Sequence, residues 1–80
     1  MEENKTEDGY LEENVVRRTG TITRWVNSYG WIRDKITNED FFVHNSQIPR
    51  NLSIFKGLEV TFIVGMGTNN REQAMCIELV

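Results

Sequence analysis

The sequence contains one cysteine, Cys76, one histidine, His44, and one proline, Pro49. A lone cysteine excludes an internal disulfide. One Cys and one His cannot supply the four ligands of a structural zinc site. No metal or cofactor is expected. No apolar run approaches the roughly 20 residues that span a bilayer. The N-terminal MEENKTEDG is acidic and polar, unlike a secretory signal. The expected location is the cytoplasm, with the nucleus as the alternative, and no membrane partner is expected. No stretch sustains a 3.6-residue apolar period over three turns, so long helices are not expected. His44 has no nucleophile or acid pattern around it, and Gly65-Met-Gly67 lacks the ending and helix of a phosphate loop. An enzyme is therefore not expected. The 80 residues must fold by core burial alone, at a size where that only just suffices.

Positive charge is also scarce. The formal net charge is -3, which argues against a simple polycation. The charge is uneven, however. Residues 1–16 hold six carboxylates against Lys5 alone, or -5. The rest of the chain holds eight basic groups and six acidic ones, or +2. Residues 1–17 read as an acidic, flexible tail, and 18–80 as the folded domain. A tail of this charge competes with an anionic ligand if it folds back over a basic face.

What is present is a series of short strands and turns. Thr21–Val26, Tyr29–Arg33, Phe41–His44, Glu59–Val64 and Gln73–Leu79 are rich in β-branched and aromatic residues. Asn27-Ser28 is a tight turn. A short helical turn is expected at Ser46–Ile48 within the longest connection. Five such strands in about 60 residues indicate an all-β fold, a small five-stranded antiparallel barrel of OB type, closed or partly closed, closure being what removes exposed edges. A monomer is expected.

Alternation then sorts the side chains. A barrel interior needs Ile32, Phe41 and Val43. Tyr29, Trp31, Phe42 and His44 are left facing outward, as one platform if the second and third strands pair. Gly30, between two rings, suits a strand that a ligand or another backbone approaches closely. Exposed rings in a group mark a binding surface. Rings bordered by Arg and Lys suit unstacked nucleobases, whose phosphates then meet cations at the edge. Arg24, Arg33, Lys35, Lys56 and Arg71 are the phosphate candidates. Cys76 reads as a small buried thiol, and Asp34, Glu39 and Asp40 as carboxylates of a solvated turn.

Two runs carry a family resemblance. Trp25-Val-Asn-Ser-Tyr-Gly-Trp-Ile32 and Asp40-Phe-Phe-Val-His-Asn-Ser-Gln-Ile48 resemble the two motifs of the cold-shock domain, an OB-fold module that binds single-stranded RNA and DNA. Gly57-Leu-Glu-Val-Thr-Phe62 is similar to a later strand of that family, and Ala74 and Ile77 fit its closing strand. The resemblance covers residues 20–80. It implies base stacking on Trp25, Tyr29, Trp31, Phe42 and His44, with Arg24 as the basic residue before the first tryptophan. It also implies a partner of single-stranded RNA or DNA, RNA being the expected choice, and a role as RNA chaperone or post-transcriptional regulator. The sequence departs from the pattern in four places. The turn after Asn27 is three residues shorter and lacks a Lys-Gly pair. Asn45 stands where an aromatic is common, Val26 stands for a phenylalanine, and one residue is added between Gly20 and Trp25. Together these departures predict weaker or altered nucleic-acid binding. The net charge of -3, the missing Lys-Gly pair and the ring lost at Asn45 favour an alternative use of the same face, to hold a protein partner.

Overall fold

A computed structural model describes residues 16–67 and 70–80. The acidic tail read from residues 1–17 lies outside the described residues, save its last two. Strand β1 spans Arg18–Val26, β2 Tyr29–Asp34, β3 Asp40–His44, β4 Glu59–Met66 and β5 Glu72–Leu79. They close into a barrel in the order β1-β2-β3-β5-β4. Four seams are antiparallel, and β3 meets β5 in parallel at Phe42 and Gln73. A 3-10 turn, Asn45–Gln47, follows β3.

β1 begins three residues earlier than local composition indicates. Arg18–Thr21 pair with Phe62–Glu59 of β4, which is the seam that closes the barrel. Closure recruits residues whose own β-propensity is ordinary. Inside lie Ile22, Ile32, Phe41, Val43, Val60, Phe62, Ala74 and Ile77, all buried. The expected inward set of Ile32, Phe41 and Val43 is among them. Phe41 and Phe62 meet with ring centroids 5.8 Å apart.

Two bulges redirect the chain. In β1, Ile22 pairs with Ile32 but Arg24 pairs with Trp31, so Thr23 is an extra residue. In β5, Cys76 adopts a left-handed φ of 53° where the pairing with β4 is interrupted. Its N–H binds Gln47 Oε1 at 3.2 Å, and its carbonyl accepts from the Arg17 guanidinium. The bulge turns the thiol outward, so Cys76 is exposed, not buried as its apolar neighbours suggested. Ile77 fills the interior in its place.

The β2–β3 turn is also built around a buried group rather than a solvated one. Asp34 is only 2% exposed. Its carboxylate accepts from Ile36 N–H at 2.7 Å, Thr37 N–H at 3.1 Å and Arg18 Nη1 at 3.1 Å. Burial alone would raise its pKa. The two backbone donors and Arg18 outweigh that and hold it below the usual carboxylate value. Glu39 and Asp40 are exposed, as expected of a turn.

Candidate nucleic-acid interface

The hairpin of β2 and β3 places the outward side chains by register alone. Tyr29 lies opposite His44, and Trp31 opposite Phe42. Opposed residues in an antiparallel pair share a face, so all four stand together outside the barrel. Tyr29 and Phe42 are 5.9 Å apart at an interplanar angle of 30°. Trp31 stands edge-on to both, at 5.6 Å from Tyr29 and 5.8 Å from Phe42. Tyr29, Trp31 and Phe42 are each half-buried by the others and His44 is exposed. The rings thus hold one another in place while leaving surface for a ligand.

His44 closes one end of the group. Its Nδ1 accepts from Ser46 N–H at 3.1 Å and lies 3.0 Å from Ser46 Oγ. With Nδ1 used as an acceptor, the neutral ring carries its proton on Nε2, and that N–H remains available to a ligand acceptor. The 3-10 turn that supplies Ser46 is anchored by Asn45 N–H to the Ser28 carbonyl at 2.7 Å.

Arg24 closes the other end. It pairs with Trp31, and its guanidinium carbon sits 5.8 Å from the Trp31 ring centroid. That is cation–π range. Thr23, Arg24, Trp31 and Asp40 line a hollow of about 260 Å³ beside the rings. Arg71 lies just outside β5, on the side of the seam with β3. It lies two residues before Gln73, which pairs with Phe42 across the β3–β5 seam.

Trp25 does not join this face. It pairs with Gly30, on the interior side, and packs against the core cluster. A Cβ on Gly30 would lie 2.1 Å from the Arg24 carbonyl oxygen and 2.7 Å from Trp25 Cε3. The close approach that glycine allows here is therefore β1 itself, not a ligand. The extra residue Thr23 is the physical reason. One added residue reverses the alternation of everything after it, sending Arg24 outward and Trp25 inward.

The remaining cations divide by pairing. Arg33 makes a two-pronged pair with Asp40, at 2.9 and 3.1 Å. That bond first, and the opposite charge second, raise the pKa of Arg33, and Arg33 likewise lowers that of Asp40. Lys35 is paired with Glu59 at 2.5 Å. Neither contributes net positive charge to its surroundings. Arg24, Arg50, Lys56 and Arg71 make no ion pair with another described residue. Lys56 sits in the turn before β4, held to β1 by Gly57 N–H to the Ile22 carbonyl at 2.7 Å. Arg50 was not among the sequence candidates. Its signal was a cation three residues after Gln47, directly behind the second motif and beside the only proline.

An OB-type barrel with outward rings on its second and third strands is the architecture of nucleic-acid-binding modules. The family profile described as "'Cold-shock' DNA-binding domain" matches residues 18–80. The chain belongs to the cold-shock domain family, and the fold is the OB barrel of that nucleic-acid-binding family. Among solved structures, a Drosophila Unr chain titled "drosophila Unr CSD456" is similar, with a TM-score of 0.73 and 22% identity over 94% of this chain. The match covers 31% of that longer chain, and at this identity it speaks for the fold alone. A search of curated proteins found no significant match.

Proposed function

We propose that the chain binds single-stranded nucleic acid by stacking bases on Tyr29, Trp31 and Phe42, with His44 at one end and Arg24 and Arg71 along the borders. The observation that carries this reading is the mutual packing of the three rings, with centroids 5.6–5.9 Å apart, on the outer face of one hairpin. Stacking is worth about 1–3 kcal/mol per base and tolerates any base. Affinity comes mainly from the rings, because Arg33 and Lys35 are neutralised by Asp40 and Glu59. Lys56 is a secondary phosphate contact at most. Trp25 supports the platform from beneath Gly30.

RNA is the proposed ligand in preference to DNA. The His44 Nε2–H and the neighbouring Asn45 and Ser46 give the platform a polar end that can pair with a 2′-hydroxyl, the group that tells RNA from DNA. A binder of this kind suits an RNA chaperone or a post-transcriptional regulator in the cytoplasm or nucleus. Titration of matched short RNA and DNA single strands tests it. Binding at low salt, lost in a Trp31→Ala, Phe42→Ala variant, is expected, with a shallow salt dependence because few phosphates are neutralised. No binding of either strand, or equal affinity in the variant, defeats the reading. The cancelled charges of Arg33 and Lys35 favour a second use of the face, for a protein partner. A pull-down that survives nuclease treatment supports that use instead.

A further inference from the structure

β4 is longer than the strand it closes against. Arg18–Thr21 of β1 pair with Phe62–Glu59, and there the seam stops, while β4 runs on to Met66. Ile63–Met66 pair with β5 on one side, and among the described residues nothing pairs with their other side. An open strand edge is a template for one more strand. The ladder decides which groups that edge offers. The Ile22 N–H donates to the Leu58 carbonyl at 2.9 Å, and the Ile22 carbonyl accepts from Gly57 N–H at 2.7 Å. Backbone groups alternate sides along a strand, so Val60, Phe62, Val64 and Met66 turn theirs toward β1, as Leu58 does. The N–H and C=O groups of Val64 and Met66 therefore face the open edge.

The segment that meets this edge is the chain's own. The register of Arg18 with Phe62, continued backwards, sets Arg17 opposite Ile63, Val16 opposite Val64 and Asn14 opposite Met66. Arg17 already lies in that register. Its Nε donates to Thr61 Oγ1 at 2.9 Å, and its Nη2 reaches across β4 to the Cys76 carbonyl. Val16 shares the inward parity of Gly20 and Ile22, yet it is 74% exposed. Across the edge from it stand Val64, half-buried against the core, and Met66, 64% exposed. An added strand would cover all three. Val15 and Val16 are β-branched and suit that role. Further back in the same register, Glu12 and Glu13 come level with the loop that joins β4 to β5. Arg71 stands in that loop, exposed and without an ion pair among the described residues. Two residues later, Gln73 pairs with Phe42 of the platform.

We propose that residues 10–17 add to the open edge of β4 as an extension of β1, bringing Glu12 and Glu13 to Arg71, and that the seated segment competes with a nucleic-acid strand for that border of the platform. The competition rests on the platform reading above; the seat does not. Arg71 cannot serve a carboxylate and a phosphate at once. The six carboxylates of residues 1–16 also repel a polyanion from the same border. By linkage, a bound strand disfavours the seat by the same factor.

Two measurements on the full chain test this. Amide hydrogen exchange reads the seat. The Val64 and Met66 amides should be protected by about tenfold or more in the wild type. Val16→Pro removes the N–H that the Val64 carbonyl would accept, and should abolish that protection. Val16 is exposed and precedes β1, so this variant keeps the barrel. Saturation with an eight-nucleotide oligouridine should lower the same protection. Titration with that strand reads the competition. Glu12→Gln with Glu13→Gln should tighten binding about threefold at low salt, and not at about 1 M salt, where such charges are screened. In an Arg71→Gln background the tightening should vanish. Val64 and Met66 amides that exchange unprotected in the wild type overturn the proposal, whether or not a strand binds. Protection that grows with protein concentration assigns the edge to a second copy and overturns it too. Protection without tightening in the glutamine variant overturns the competition. Protection in a chain that binds no strand defeats the platform reading and leaves the seat standing.

Discussion

The two tryptophans offer the sharpest test of the face assignment, because they are six residues apart and have opposite fates. Trp31 lies outside with Phe42, while Trp25 lies under β2 against Gly30 and the core. Trp31→Ala removes one stacking surface, worth about 1–3 kcal/mol, so the dissociation constant should rise about 5- to 150-fold. It also removes two edge-on ring contacts, at 5.6 and 5.8 Å. Half-exposed contacts of this kind sum to about 1 kcal/mol, a fall of about 4–8 °C in melting temperature. Trp25→Ala should do the reverse. Truncating a fully buried Trp costs about 3–5 kcal/mol, and Trp25 is half-buried, so about 2 kcal/mol is expected. The melting temperature falls about 8–16 °C, while affinity measured well below it stays within about twofold.

Single-tryptophan variants separate the two directly. Phenylalanine keeps a stacking ring but silences the fluorophore. In Trp25→Phe, the remaining Trp31 should be quenched by a bound oligonucleotide. In Trp31→Phe, the strand should still bind, as read by anisotropy of a labelled oligonucleotide, but Trp25 should show little quenching. Strong quenching of Trp25, or a loss of affinity in Trp25→Ala equal to that in Trp31→Ala with the fold intact, would refute the reversal of alternation at Thr23.

Four further outcomes follow from the architecture. Gly30→Ala should destabilise by about 3 kcal/mol, the upper end for overpacking, because its Cβ would meet the Arg24 backbone at 2.1 Å; chemical denaturation checks it. Asp34→Ala leaves two backbone N–H groups and Arg18 without their shared acceptor and should cost about 1–3 kcal/mol. Asp34 has a folded pKa held below its unfolded value of about 3.9, so its contribution is present above that pH and is lost as the pH falls through the folded value. Melting temperature against pH should therefore drop less steeply below about pH 4 in Asp34→Asn than in the wild type, with Asp40, whose pKa is also lowered, still contributing to the slope that remains. Cys76 should react with a thiol reagent in the folded protein at nearly the rate of the unfolded chain; protection by more than about a hundredfold, as for a group that reacts only on opening, would contradict its exposed position.

How much of this could be read from the chain depends on the range of the interaction that decides each residue. The ring face was legible because it needs only alternation along two strands and one short turn, and Tyr29, Trp31, Phe42 and His44 are set within sixteen residues of one another. The core membership of Ile32, Phe41 and Val43 follows from the same alternation. Trp25 and Cys76 were not legible. Each lies at or just beyond a bulge, and a bulge is a mismatch between two strands that neither strand records alone. Asp34 failed for a related reason: its burial depends on Arg18, sixteen positions away on β1, which composition assigned to no strand. The cations show the limit most clearly. Arg33 and Arg24 look equivalent in sequence, yet Asp40 across the β2–β3 pair takes up the charge of Arg33, while Arg24 has no carboxylate opposite and lies over Trp31 instead. A net charge, even one divided between tail and barrel, counts groups; only the strand register decides which of them a phosphate can still reach.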